Sequence, residues 1–256
     1  MGRTTRWLAV RWLSVLMGAA VLLGATTAQA QLTELYIPQN GTPGSQGWLP
    51  LVQGTPGTTQ LGSDSFQLNT LADEATQHGY FRFSPVALDT ATGFMLTFNL
   101  RVDGSTTSST NRGGFSLVLV GNDPARSLEL VFSSNEVFAY DYNGGDPDRF
   151  VRGASTSLMA NVPYSYVLTV ANDAYNLNIN GQNLLSGSLV DYTGQGLPYT
   201  TPNFVFFGDD TSRASANAYL GPLVLASTVP EPARAWLWLP GLLLLAAWLG
   251  ARRQRQ

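Results

Sequence analysis

The densest set of oxygen ligands in the sequence is Asp141-Tyr142-Asn143-Gly144-Gly145-Asp146-Pro147-Asp148. Asp141, Asn143, Asp146 and Asp148 supply side-chain oxygens on a stretch whose glycines permit a sharp turn, so the candidate cofactor here is Ca2+. The same residues read equally as an Asx-rich hairpin loop, because Asn-Gly and Asp-Pro form turns without any metal. A bidentate acid at the twelfth position is missing, since that place is Arg152. Asp209-Asp210 is a second acidic pair. Glu129 and Glu136 flank Ser133-Ser134-Asn135, a turn that brings them toward each other across a hairpin. Glycoside hydrolysis needs two carboxylates about 5–9.5 Å apart, which makes this pair the candidate for that chemistry, although paired surface carboxylates are the plainer reading. Ser-His-Asp catalysis needs an imidazole, and His78 is the one histidine, in the loop-like Ala75-Thr76-Gln77-His78-Gly79 with no G-x-S-x-G elbow in the chain. With no cysteine, thiol nucleophiles, thiolate metal sites and disulfides are excluded, and zinc would depend almost wholly on carboxylates. No catalytic residue is expected, and the chain is read as a non-enzyme. For sugar stacking the candidates are Trp48, Tyr140, Tyr142, Tyr192 and Tyr199, which lie near polar turns, and the Asn176, Asn178, Asn180 row offers amides to hydroxyls.

These side chains must be held by strands. Phe94, Leu96, Phe98, Leu100 and Val102 alternate with Met95, Thr97, Asn99 and Arg101, the period of a strand with one buried face. Phe115–Val120 is apolar on both faces, which predicts a central strand, and Gly121-Asn122-Asp123-Pro124 ends it. Further strands are predicted near Ser127–Phe132, Glu136–Tyr142, Tyr164–Ala171, Ala174–Asn180, Asn183–Val190, Asn203–Gly208 and Ala216–Ala226. Asn180-Gly181 is the strongest hairpin signal, because both residues tolerate positive φ. No helical period runs through this region. The expected fold is all-β, an antiparallel β-sandwich over 64–228, preceded by a loop-rich segment at 31–63 and flanked by one apolar helix at each end.

The 256 residues contain 14 Arg and no Lys, against 17 acids. The charge is segregated: residues 1–30 carry three Arg and no acid, whereas residues 31–230 carry seven Arg and sixteen acids, a formal charge of −9. An acidic core offers no field for phosphates, so nucleic acid is not an expected partner. Arg3, Arg6 and Arg11 precede an apolar run that ends in Ala28-Gln29-Ala30, the pattern of a secretory signal peptide cut after Ala30. At the other end, Val229-Pro230-Glu231-Pro232 is followed by the apolar run 235–250 and then Arg252, Arg253 and Arg255. Such a run reads as a transmembrane helix held by a basic cytoplasmic stop, with the acidic segment on the far side of the membrane.

This tripartite tail, residues 229–256, resembles the PEP-CTERM sorting signal of Gram-negative bacteria. The resemblance implies that Val229, Pro230, Glu231 and Pro232 form the motif read by an exosortase. That enzyme would remove the helix and deliver the protein from transient membrane anchorage to the cell surface or exopolysaccharide matrix. Between the ends, Gly114–Asp123, Tyr175–Gly187 and Asn203–Thr211 look like the choice-of-anchor domains, type Y in particular. That second resemblance implies a lectin-like or concanavalin-like jelly roll without an established activity. The expected function is an exported, non-catalytic sandwich with a structural or glycan-adhesion role and extracellular polysaccharide as its partner. The alternative is a secreted polysaccharide hydrolase.

Overall fold

The computed structural model describes residues 31–141 and 150–227. Ala28, Ala30, the sorting motif at 229–232, the apolar run 235–250, and Asn143, Asp146 and Asp148 of the calcium candidate lie outside the described residues. Among the described residues no helix is long and apolar enough to cross a membrane.

The described chain is all-β and antiparallel, in two sheets. Its strands are β1 (Gln31–Tyr36), β2 (Leu49–Gln53), β3 (Thr58–Leu61), β4 (Phe66–Asn69), β5 (Gln77–Phe83), β6 (Phe94–Thr107), β7 (Phe115–Val120), β8 (Ser127–Phe132), β9 (Glu136–Asp141), β10 (Val151–Ser157), β11 (Tyr164–Ala171), β12 (Ala174–Ile179), β13 (Gln182–Ser188), β14 (Phe204–Asp209) and β15 (Ala214–Ser227). The eight-stranded sheet runs β13-β12-β11-β6-β15-β4-β3, with β1 also paired to β15. The seven-stranded sheet runs β10-β9-β8-β7-β14-β5-β2.

The period of two decides which side chains meet between the sheets. Phe94, Leu96, Phe98 and Leu100 of β6, Leu168 and Val170 of β11, and Leu223 and Leu225 of β15 point inward to Leu117, Leu130, Phe132 and Phe207 of the other sheet. Rings set the spacing: Phe98 stacks on Tyr166 at 4.9 Å and meets Phe132 edge-on at 6.0 Å. β7 is central, as its two apolar faces predict, and the Asn180-Gly181 turn joins β12 to β13 with φ of 52° and 77°.

Three expectations are corrected here. The segment 31–63, expected to be loop-rich, contributes β1, β2 and β3 to the two sheets. Its Trp48 is buried against Phe207 at 4.7 Å and donates its indole N–H to the Leu35 carbonyl at 2.8 Å, so it is a core residue and not a sugar platform. His78 lies in β5, opposite Asp209, rather than in a loop. Gly79 next to it reads as a breaker but is required within the sheet, because a Cβ there would collide with the Phe206 ring across the ladder.

Candidate functional site

Glu129 and Glu136 do not form a pair. β8 and β9 register Leu130 with Ala139 and Phe132 with Val137, which places the two acids toward opposite ends of the hairpin. Glu136 is instead ion-paired with Arg152, whose guanidinium lies 4.9 Å over the Phe138 ring. Glu129 points away from the intersheet core, into a second apolar layer on the outer face of the seven-stranded sheet.

That layer changes the meaning of several sequence candidates. Tyr192 and Tyr199, from the segment between β13 and β14, pack on Val118, Val131, Phe138, Tyr140 and Phe206, and Phe150 stacks on Tyr192 at 5.4 Å. Tyr140, Tyr192 and Tyr199 are therefore buried and do not offer free faces to a sugar. Beneath them Tyr199 donates its hydroxyl to Glu129 at 2.7 Å. The Ser116 hydroxyl lies 2.9 Å from Asp210 and 3.3 Å from Glu129. Burial and the facing Asp210 charge push the Glu129 carboxyl well above the ordinary carboxylate range, and the two acids hydrogen-bond directly, so one retains a proton. Burial raises the Asp210 carboxyl as well, against which its hydrogen bonds to Ser116 and Glu129 and the charge of Arg112, over the Tyr140 ring at 5.5 Å, pull downward.

Asp209, the last residue of β14, and Asp210 just beyond it do not converge on one site, because Asp210 faces Ser116 and Asp209 faces Thr70. Asp209 is buried on the other side, where it accepts the Thr70 hydroxyl at 2.6 Å and the Thr211 N–H at 3.2 Å. Burial raises its pKa to about 8. His78 is held by the Gly57 carbonyl at 3.1 Å, which assigns its proton to Nδ1, and burial lowers its pKa. Of the calcium candidate, Asp141 ends β9 with an exposed carboxylate. Among the described residues no three His, Asp or Glu side chains converge as a metal would require.

An open concavity lies on the other sheet. A groove of about 490 Å³ runs along the outer face of the eight-stranded sheet, lined by Asn99, Arg101, Tyr164, Ser165, Tyr219 and Asp64 among others. Its cause is local: the β6–β15 register shifts between Leu220 and Leu223, so Gly221-Pro222 bulges opposite Asn99. Gly221 has no room for a side chain, since a Cβ would stand 2.8 Å from the Asn99 Cβ. Arg101 is fixed by Asp103 at 2.7 Å and lies 4.1 Å over the Tyr219 ring. Ser165 donates to Asn99 Oδ1 at 2.7 Å, and the Tyr164 hydroxyl accepts the Met159 N–H at 3.0 Å. Tyr164 shares the inward parity of Tyr166 and packs its ring against the intersheet core, so the wall's aromatic is Tyr219. An aromatic ring, amides, a hydroxyl and a guanidinium on a shallow wall can bind hydroxyl-rich molecules. Asn99 and Arg101 were legible as the solvent side of an alternating strand, but nothing in the local sequence joins them to Tyr164 or Tyr219, which arrive through strand pairing.

No family model matches the chain. No curated protein matches it either. Among solved structures, the conserved carbohydrate esterase of the Shiga toxin-encoding bacteriophage phi24B is similar with a TM-score of 0.56 and 13% identity, over 77% of this chain and 99% of the esterase chain. At that identity the likeness is one of fold. The Emp46p carbohydrate recognition domain in its potassium-bound form is similar at a TM-score of 0.46 and 13% identity, over 75% of this chain and 95% of its own. A sialidase follows at 0.47 and 11%, over 82% of this chain and 19% of the sialidase.

Proposed function

We propose that this chain is an exported, non-catalytic glycan-binding protein. In this reading its lectin-like jelly roll holds extracellular polysaccharide, and its tail decides where it resides. The observation that carries the binding half is the groove on the eight-stranded sheet, where Tyr219 stands beside Asn99, Ser165 and Arg101. A sugar ring needs an apolar face for its C–H groups and polar atoms for its hydroxyls, and this wall offers both. The arrangement of Glu129 supports the non-catalytic half. Its carboxyl hydrogen-bonds Asp210 and Tyr199 under a covering segment, whereas glycosidase carboxylates stand about 5–9.5 Å apart across an open site.

The test of binding is isothermal titration of the full chain, held in a polyoxyethylene detergent free of sugar headgroups, with neutral oligosaccharides. Tyr219→Ala is expected to weaken binding about tenfold, the loss of one stacking contact. Equal affinity in the variant would remove the groove from the reading, and reducing ends released by the wild type would replace it with the hydrolase.

The routing half rests on the sequence: a cleavable leader, then Val229-Pro230-Glu231-Pro232, an apolar helix and an Arg stop. Leader cleavage after Ala30 together with exosortase processing of the tail predicts a mature chain that begins at Gln31 and ends near Pro232. Mass spectrometry of the protein from cells with and without the exosortase checks this, and a mature chain retaining Arg255 in exosortase-positive cells would contradict it.

A further inference from the structure

The groove is one end of a longer surface. Register places Thr97, Val167 and Asn178 side by side across β6, β11 and β12, and Asn183 of β13 opposite Asn178. The next row is Met95, Thr169, Asn176 and Ser186. Both rows lie on the outer face, beside the Asn99–Ser165 pair that lines the groove. Their side chains are exposed or half-buried. Asn178 donates its amide to Asn176 Oδ1 at 2.6 Å, which orients both groups and leaves the Asn176 nitrogen and the Asn178 oxygen for another molecule.

Beyond the Arg101–Asp103 pair of the groove, the rows carry no charge. β11, β12 and β13 contain no Asp, Glu, Lys or Arg at all. Outer strands of a sheet normally carry charges that deter pairing with other chains, and this sheet margin lacks them. A charged glycan would find no counter-ion along the rows, and an apolar ligand would strand their amides and hydroxyls. A neutral, hydroxyl-rich polymer matches them. At strand spacings of about 4.8 Å, β6 and β13 are roughly 14 Å apart, room for several sugar units beyond the groove.

We infer that the outer face of β6, β11, β12 and β13 continues the groove as a track for the interior of a linear neutral polysaccharide, so that the ligand is an extended chain and not a terminal sugar. This rests on the glycan-binding reading, which it deepens.

Calorimetry with the full chain tests it, using β-1,4-linked gluco-, β-1,4-linked manno- and β-1,3-linked gluco-oligosaccharides of two and six units, and a six-unit oligogalacturonate as the anionic counterpart. At least one neutral hexamer should bind ten or more times more tightly than its dimer, with an affinity unchanged between about 50 and 500 mM salt, because salt screens only interactions between charges. Thr169→Ala combined with Asn178→Ala should cut hexamer affinity about fivefold to tenfold and leave the dimer unchanged. Asn183→Asp, an exposed change that alters no packing, should weaken the hexamer alone. Equal affinity for dimer and hexamer would overturn the track while leaving glycan binding in place. Tighter, salt-sensitive binding of the oligogalacturonate would overturn the neutral ligand class. Failure of every neutral hexamer to bind would overturn both the track and the glycan-binding reading.

Discussion

Replacing Trp48 by alanine is expected to cost about 3–5 kcal/mol of folding stability, read from the midpoint and slope of denaturant unfolding. The indole is fully enclosed, edge-on to Phe207 at 4.7 Å, with the Arg82 guanidinium 5.6 Å over its ring. The cost is more than lost area. Trp48 Nε1 and Arg82 Nη1 both donate to the Leu35 carbonyl at 2.8 Å, so β1 is tied through one oxygen to β5 and to the approach to β2. Alanine opens a cavity between the sheets and removes one of those two donors. A loss below about 1 kcal/mol would mean that the N-terminal segment is a dispensable appendage, as its loop-like composition predicts, rather than part of the core.

The second large effect is a fall in stability as pH rises. The Asp209 carboxyl is raised to about 8 by burial, against about 3.9 in an unfolded chain. Below the unfolded value both states hold the proton and the contribution is complete. Between about 4 and 8 the folded state keeps a proton that the unfolded state has lost, so unfolding gains up to about 1.4 kcal/mol per pH unit from this group. Glu129, raised by burial and by Asp210, contributes with the same sign. These acids pull stability down from pH 4 to pH 8, opposed in part by His78, whose lowered pKa adds stability as pH rises toward the unfolded value. Asp209→Asn should flatten the decline and raise the melting temperature at pH 8 by several degrees. Asparagine fits the site because the Thr70 hydroxyl, which accepts the Ala216 N–H at 3.0 Å, can turn its proton to the Ala216 carbonyl at 3.3 Å and accept from the new amide. Thermal melts of both proteins from pH 4 to pH 9 check this. Parallel curves would mean that Asp209 is ionised in the folded protein.

The parts of the fold that were legible are those where one face is buried and the other wet. β6, β11 and β12 announce themselves by alternation, and β7 by its doubly apolar run, because each makes its burial pattern locally. β2 and β3 carry no such pattern: most of their side chains are exposed, Pro50 sits in β2, and their pairing is decided by β5 and β4. β5 was hidden for a different reason. Its Gln77-His78-Gly79 start looks like a turn, yet the glycine is dictated by Phe206 and Gly208 on the neighbouring strand.

The candidate sites follow the same logic. Glu129 could be noticed, since Leu128 and Leu130 flank it, but Asp210, Tyr199 and Ser116 reach it only through the fold. The aromatics proposed for sugar were chosen by proximity to turns, and the segment between β13 and β14 buries three of them. Tyr219, at the groove, lacked any sequence signal that distinguished it from core aromatics. The Asn176–Asn178 row was legible as a polar face, and only strand register reveals that Thr169, Asn183 and Ser186 extend it.

The most direct measurement is amide hydrogen exchange of the full chain with and without a neutral hexasaccharide that it binds. Added protection is expected in β6, β11 and the bulged stretch of β15 around Gly221, with the segment between β13 and β14 unchanged. Protection confined to that segment and to β8, over Glu129 and Tyr199, would contradict this and move the binding site to the opposite sheet.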